Sequence, residues 1–338
     1  MNVLGIETSC DDTGVAVVRD GHEILVNLVA SQEDHARFGG VVPEIAARKH
    51  VEVLPALLEA ALGDAGLDLS DLDGIAVTRG PGLIGALLAG WCFGRGVAEA
   101  RGLPYVGVHH LAAHVHGALM PAIGEARPIA YPLMALVVSG GHTALYRVTG
   151  NAGFLPVGKT RDDAAGEAYD KVSKLLELGY PGGPVIDELA VNGDPQAWDL
   201  PRSDLGLDFT FSGLKSAVRR AAIEASIEPG DPANQRILDL VASFQAAVID
   251  MLAATTERAL NRFTSRGLVL CGGVAANRSL RARFESLASR RNMPLYVSPP
   301  RLATDNGAMI AGAGYRRLAA GDRDPLDLAA RATWPLGS

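Results

Sequence analysis

The sequence predicts an α/β protein built as two similar mixed-sheet lobes with a ligand cleft between them. Two observations lead there. One order of elements, a strand meander followed by alternating helices and strands, runs through the chain twice. The 338 residues, 48% hydrophobic and 20% charged, also suffice for two soluble cores. The expected lobes are residues 1–115 with about 307–338, and residues 116–306 with an insertion around 180–235.

In the first copy, residues 3–9 form an apolar run that reads as a strand, 10–13 a polar turn, and 14–19 and 24–30 two further strands. Residues 44–62 carry apolar side chains at helical period with charges opposite, and 74–78 read as a buried strand. The turn Arg79-Gly80-Pro81-Gly82 opens a helix over about 83–100, and the strand 105–108 leads into paired histidines. The second copy begins with the strand 133–138, turns at 139–142, and continues as strands 143–148 and 154–159. Helical periods follow at 163–178 and 237–263, then strand 267–271, helix 278–291, strand 295–297 and a last helix at about 306–320. Residues 180–235, rich in Gly, Pro and Asp, predict loops around one helix near 213–226.

Composition narrows the function. No stretch reaches the ~18 consecutive apolar residues of a membrane span, and Met1-Asn2-Val3-Leu4-Gly5 lacks a basic region followed by an apolar run, so a cytoplasmic protein without a membrane partner is expected. Cys10, Cys92 and Cys271, with no C-x-x-C spacing, argue against a disulfide framework and a thiolate metal site. A net charge of -7 offers no global attraction to a phosphate backbone. Nucleic-acid binding would need a partner or a local patch such as Arg278, Arg281, Arg283, Arg290 and Arg291, although for any single one of them a solvated helix face is the better explanation.

His110 and His114 lie four residues apart where a strand runs into a helix, so both imidazoles share one face at metal-ligand spacing. Asp305, in Ala303-Thr304-Asp305-Asn306-Gly307, is the candidate third ligand. Two neutral nitrogens and one carboxylate would hold one divalent ion, Fe2+ or Zn2+, and leave positions open for substrate. The alternative is two buried, hydrogen-bonded histidines on an Ala-rich helix. Ser139-Gly140-Gly141-His142-Thr143 suits a phosphate, its glycines letting backbone N–H groups approach an anion; it also suits a plain hairpin. Ser9-Cys10-Asp11-Asp12-Thr13-Gly14 would repel an anion, so an acid there orients a metal, a water or an amine, or simply forms an Asx turn. In Cys271-Gly272-Gly273-Val274-Ala275-Ala276-Asn277 the glycines admit a flat ring or ribose and Asn277 can donate and accept, although a tight strand-to-helix connection accounts for the same residues. Asp170 and Asp187, with Gly182-Gly183-Pro184, place carboxylates beside glycines, as ribose hydroxyls require and as a capped helix and turn also would. Neither a P-loop nor a Rossmann fingerprint is present.

Laid out in this way, the chain closely resembles the TsaD family, the bacterial tRNA adenosine threonylcarbamoyltransferases of the actin, Hsp70 and sugar-kinase superfamily. The resemblance runs nearly end to end. It is carried by Gly5-Ile6-Glu7-Thr8-Ser9-Cys10-Asp11, Gly39-Gly40-Val41-Val42-Pro43-Glu44, Gly80-Pro81-Gly82-Leu83, the paired histidines, and residues 138–143, 162–171 and 180–184. Phe209-Thr210-Phe211-Ser212-Gly213-Leu214-Lys215 and residues 272–278 and 304–308 complete it. It implies ribonuclease-H-like, actin-like lobes and transfer of threonylcarbamoyl from threonylcarbamoyl-adenylate to N6 of adenosine 37 in tRNAs reading ANN codons. It implies His110, His114 and Asp305 as metal ligands, and Val137, Val138, Ser139, Gly140, Gly141, Asp170, Gly183, Asp187 and Asn277 as adenylate-binding positions. It also implies a TsaB-like partner on the first lobe and a TsaE-like ATPase. The family often has Glu where this chain has Asp12, one methylene shorter, and Cys where it has Ala303. Asp12 is the candidate for accepting the amine proton or orienting it.

Three other classes fit less well. A zinc endopeptidase needs H-E-x-x-H, whereas Leu111-Ala112-Ala113 separates these histidines. A sugar-kinase-like phosphotransferase would hold Mg2+ through carboxylates and waters. A non-catalytic scaffold would use the apolar helices around Leu57, Leu58, Ala61, Leu62 and 83–91, for which core packing is the default.

Overall fold

Apolar runs and helical period produce most of the expected elements in the computed structural model, which describes residues 1–32, 35, 40–150, 153–325 and 327–337. Gly39 of the Gly-Gly-Val-Val-Pro-Glu motif lies outside the described residues. Two compact units form: Met1–Ile129 with Pro300–Leu336, and Ala130–Pro299 with Gly337.

In the first unit, β1 (Asn2–Glu7), β2 (Asp12–Arg19) and β3 (Glu23–Ser31) are an antiparallel meander. β1 pairs in parallel with β4 (Gly74–Gly80), and β4 with β5 (Tyr105–His109), giving the order β3-β2-β1-β4-β5. Both sheet faces are covered, so these strands read as continuous apolar runs. Leu4, Ile6, Val15, Val17, Ile75 and Val77 point to one face, against Leu54, Leu58 and Trp91 of α1 (Pro43–Ala65) and α2 (Ile84–Arg101). Val3, Ala16, Val18 and Ala76 point to the other, against α3 (His110–Gly124) and α10 (Gly307–Ala319). The start of α10 rests directly on strand backbone: a Cβ at Gly5 would stand 2.1 Å from the Gly307 carbonyl oxygen, and one at Gly14 2.6 Å from the Gly307 nitrogen. That contact fixes Asp305, two residues upstream, near the C-terminal end of β1.

The second unit repeats this winding. β6 (Leu133–Val138), β7 (Thr143–Val148) and β8 (Phe154–Lys159) are antiparallel, and β6 pairs in parallel with β9 (Leu268–Cys271) and β9 with β10 (Leu295–Val297), giving β10-β9-β6-β7-β8. Its core joins Met134, Leu136 and Leu145 of the sheet to Tyr169 and Val172 of α4 (Ala165–Leu175) and Leu214 of α6 (Ser212–Glu224). α7 (Gln235–Arg262) adds Leu240, Phe244 and Val248, and α8 (Arg278–Arg290) adds Phe284. α7 is long and apolar enough to cross a membrane, but 78% of its apolar window is buried in this core.

Three differences from expectation have local causes. The first unit takes in all of α3 and residues 300–306, which the expected borders at 115/116 and 306/307 assign elsewhere; Ala113 and Met120 of α3 share one core with Leu302, Ala308 and Met309. α5 (Gly182–Leu189) is a helix despite Gly182-Gly183-Pro184, because proline is tolerated in a first turn and Asp170 accepts the Gly182 N–H at 2.7 Å. α9 (Pro300–Ala303) is a single turn within a stretch without periodic pattern.

Candidate functional site

β5 ends at His109 and α3 begins at the next residue, with the His109 ring capping the helix by accepting the Leu111 N–H at 3.2 Å. Its other nitrogen donates to the Trp334 carbonyl at 2.9 Å, and the two rings pack 4.8 Å apart. His110 and His114 therefore project from the first turns of a fixed helix, with their rings 4.6 Å apart. Asp305 Oδ1 lies 3.1 Å from His114 Nε2 and 3.6 Å from His110 Nε2, and one donor atom from each residue falls within 4.8 Å of the others. Donors around a metal at about 2.0–2.2 Å stand roughly 3–3.5 Å apart, so the triad is close to coordinating geometry. The His114 side chain is fully buried and that of His110 is 4% exposed; Asp305, at 21%, is the open side of the site.

His110 Nδ1 faces Glu7 Oε2 at 3.0 Å and Ser9 Oγ at 3.2 Å. Glu7 is fully buried at the end of β1; its Oε1 accepts the Ser9 N–H, and its Oε2 the Thr78 hydroxyl at 2.7 Å. Burial works against a charged His110, but the Asp305 and Glu7 carboxylates outweigh it and hold the imidazole up at about 9. A pocket with that surplus of negative charge, lined by two nitrogens and a carboxylate oxygen, fits a divalent cation.

Asp12 starts β2 in the same acidic pocket. Burial pushes its carboxyl up to about 6, against a hydrogen bond from Ser31 and with the repulsion of Asp305, Asp11 and Glu7 added. The turn before it is clamped by His50 of α1, whose Nε2 donates to the Cys10 carbonyl at 2.9 Å while its Nδ1 accepts the Thr13 hydroxyl at 2.8 Å. Sequence reasoning missed the roles of Glu7 and His50. A carboxylate ending the apolar run Val3-Leu4-Gly5-Ile6-Glu7 was the available signal, because a buried charge requires partners.

In the second unit the matching end of the sheet carries the other candidates. Ser139 donates its N–H to the His142 carbonyl at 2.8 Å and accepts the His142 N–H on Oγ at 3.2 Å, closing the turn as a hairpin. Space is nevertheless open beyond the Cα of Gly140 and Gly141. Gly272, at φ 92°, could not be another residue, since a Cβ would stand 2.3 Å from the Val138 carbonyl oxygen. It presses the following turn against the end of β6, beside buried Val137 and Val138. The start of α4 docks behind the hairpin through Gly166 N–H to the Ser139 carbonyl and Ala165 N–H to the Thr143 hydroxyl. Hairpin and turn thus meet at the C-terminal ends of parallel strands, where open α/β sheets bind ligands.

Asp170 holds the start of α5, where Gly183 faces open space. Asp187 Oδ2 pairs with Arg278 Nε at 3.1 Å, and its Oδ1 is buried without a hydrogen-bond partner among the described residues. Asn277 is the N-cap of α8: Oδ1 accepts the Leu280 N–H at 2.9 Å and Nδ2 donates to Gln245 Oε1 at 2.7 Å, so its amide has a structural task. Arg281 donates to the Ala275 and Ser298 carbonyls and Arg291 to Asn261, so the arginines of α8 are partly tied into the fold.

The sequence profile described as TsaD, tRNA N6-adenosine threonylcarbamoyltransferase, matches residues 23–312. The tRNA N6-adenosine threonylcarbamoyltransferase of Trichlorobacter lovleyi is 49% identical over 340 residues, covering 99% of this chain and 97% of that protein. That of Paracoccus denitrificans is 51% identical over 340 residues, covering 99% and 94%. Among solved structures, component A of the Acidaminococcus fermentans (R)-2-hydroxyglutaryl-CoA dehydratase superposes with a TM-score of 0.55 at 17% identity, covering 94% of this chain and 99% of that one. HypF from T. kodakarensis gives a TM-score of 0.61 at 14% identity, covering 94% and 48%. These two structures share the actin-like α/β fold and, at such identities, speak to fold alone. About half of all residues being shared with relatives of that one activity along nearly the whole length, the chain belongs to the TsaD family and is an enzyme, a tRNA N6-adenosine threonylcarbamoyltransferase.

Proposed function

We propose that the protein transfers the threonylcarbamoyl group from threonylcarbamoyl-adenylate to N6 of adenosine 37 in tRNAs reading ANN codons, with release of AMP. The observation that carries this reading is the near-coordinating set of His110, His114 and Asp305 in a chain of this family. The donor is a mixed anhydride of a carbamate and a phosphate, so its leaving group is already good and the exocyclic amine is the weak partner. Positioning and charge stabilisation therefore dominate. The bond from the carbamoyl carbon to the phosphate oxygen breaks, the bond to N6 forms, N6 loses a proton, and AMP leaves with the bonding pair.

One divalent ion per subunit, Fe2+ or Zn2+, held by His110, His114 and Asp305, would supply Lewis acidity toward the carbamoyl carbonyl. Backbone N–H groups at Gly140 and Gly141 hold the phosphate in line, on a turn that Ser139 closes and whose height Val137 and Val138 set. Asp187, through the Oδ2 that Arg278 also holds, accepts a ribose hydroxyl beside Gly183, which Asp170 positions through Gly182. Asn277 shapes the edge of the nucleoside site through its cap. Asp12, largely ionised at neutral pH with its pKa near 6, accepts the N6 proton. The exposed Val51, Ile84 and Leu88 on α1 and α2 support a TsaB-like partner on the first unit. A TsaE-like ATPase, tRNA held by the assembly, and a cytoplasmic setting complete the reading.

The test combines purified protein and both partners with synthetic threonylcarbamoyl-adenylate and unmodified tRNA, and reads modified adenosine by mass spectrometry. Donor-dependent modification at position 37 is expected. Modification without the donor, or none with it, refutes the reading.

A further inference from the structure

We propose that Glu7 is a positioning residue of the metal centre: it fixes the His110 ring so that Nδ1–H is donated to Glu7 and the Nε2 lone pair is presented beside His114 and Asp305. The inference rests on the metal reading above and goes beyond the three ligands. Glu7 touches no candidate substrate position, yet its carboxylate is fully buried, and a buried charge persists only where partners compensate it. Its donors arrive from three elements: the Ser9 N–H at 2.5 Å, the Thr78 hydroxyl of β4 at 2.7 Å and His110 Nδ1 at 3.0 Å. The Ser9 hydroxyl oxygen lies 3.2 Å from the same Nδ1, so two partners converge on that one nitrogen.

His114 has no such support, its Nδ1 being buried without a partner among the described residues. The two imidazoles are therefore unequal: one is oriented by a carboxylate, the other by its surroundings. A carboxylate behind a ligating imidazole fixes its tautomer and raises its basicity. Charge agrees in sign, since Glu7, Asp305 and the neighbouring Asp12 give the pocket an excess of carboxylates that a divalent ion would offset.

The experiment uses the full-length protein stripped with chelator, as wild type, Glu7→Gln and Thr78→Val. Zn2+ affinity is measured by competition with a chromophoric chelator, and the site is reported by the visible bands of Co2+. Glu7→Gln is expected to weaken Zn2+ binding roughly 10- to 100-fold and to alter the Co2+ bands. The metal-free variant is expected to melt somewhat lower, because His110 loses a compensating carboxylate, so Zn2+ affinity and the Co2+ bands, not the melting temperature, decide. Thr78→Val, which keeps the carboxylate but removes one anchor, should weaken binding roughly threefold or more. A merely structural Glu7 would lower the metal-free melting temperature and leave affinity unchanged, which overturns the proposal. Should Glu7→Gln fail to fold, Thr78→Val decides, and binding within about twofold of wild type refutes the inference. Wild type without Zn2+ binding would instead refute the metal reading.

Discussion

Replacing Gly5 with alanine sets a methyl group 2.1 Å from the Gly307 carbonyl oxygen and 2.6 Å from the Ala311 nitrogen, both backbone atoms of α10. Real Cβ atoms essentially never stand within 3.0 Å of such neighbours, so the helix must lift by at least about 0.9 Å, and a close-packed interior has no slack to absorb that. Overpacking of this kind costs about 1–3 kcal/mol, and the opposing atoms here are backbone, which points to the upper end. For a unit of this size a loss of about 3 kcal/mol lowers the melting temperature by roughly 6–12 °C. The same displacement carries Asp305 away from His114, opening the 3.1 Å separation toward roughly 4 Å, and ligand misplacement on that scale is expected to weaken metal binding at least tenfold. Differential scanning fluorimetry on metal-free protein and Zn2+ competition read the two effects separately. A Gly5→Ala protein that melts within 2 °C of wild type, or that melts lower while binding Zn2+ normally, would refute the coupling of α10 to the site.

His110→Ala and His114→Ala should each abolish metal retention and reduce transfer at least 100-fold together; transfer that survives in strictly metal-free wild type would discard the Lewis-acid role. Asp12→Asn should lower the single-turnover rate roughly 100-fold or more, and an unchanged rate removes Asp12 from the chemistry. In wild type that rate should fall as pH drops through about 6, where Asp12 takes up a proton, and the asparagine variant should lack this limb. His50 is held below its usual 6.5 by burial, so the folded state binds fewer protons than the unfolded state on acidification. Its share of stability is complete above pH 6.5 and is lost as pH falls toward its lower folded value; denaturant titrations at pH 7.5 and 5 should show the loss, and His50→Asn should reduce it.

Much of this arrangement was legible in the sequence where the governing physics is local. The meander strands declared themselves by apolar runs, and His110 and His114 by a four-residue spacing that any helix turns into one face. Asp305 was within reach of inference because a two-imidazole site is incomplete. The partners of Glu7 and His50 were not legible: an acid ending an apolar run signals only that it must be paired, and the partners lie 103 and 40 residues away, where no periodicity encodes them. Asn277 reads as a ligand group from its chemistry and turns out to be a helix cap, because Asn serves both ends equally well. The unit border escaped for a related reason: α3 belongs with α10, which follows it by nearly 200 residues, and shared packing, not chain proximity, decides membership.

The matching strand orders of the two units bear on how such chemistry arises. The bend after β1 and the bend after β6 occupy one position on one scaffold, yet acids and imidazoles gather at the first and open-faced glycines at the second. One strand order thus accommodates two kinds of chemistry, because the residues that differ sit in the bends and not in the sheets.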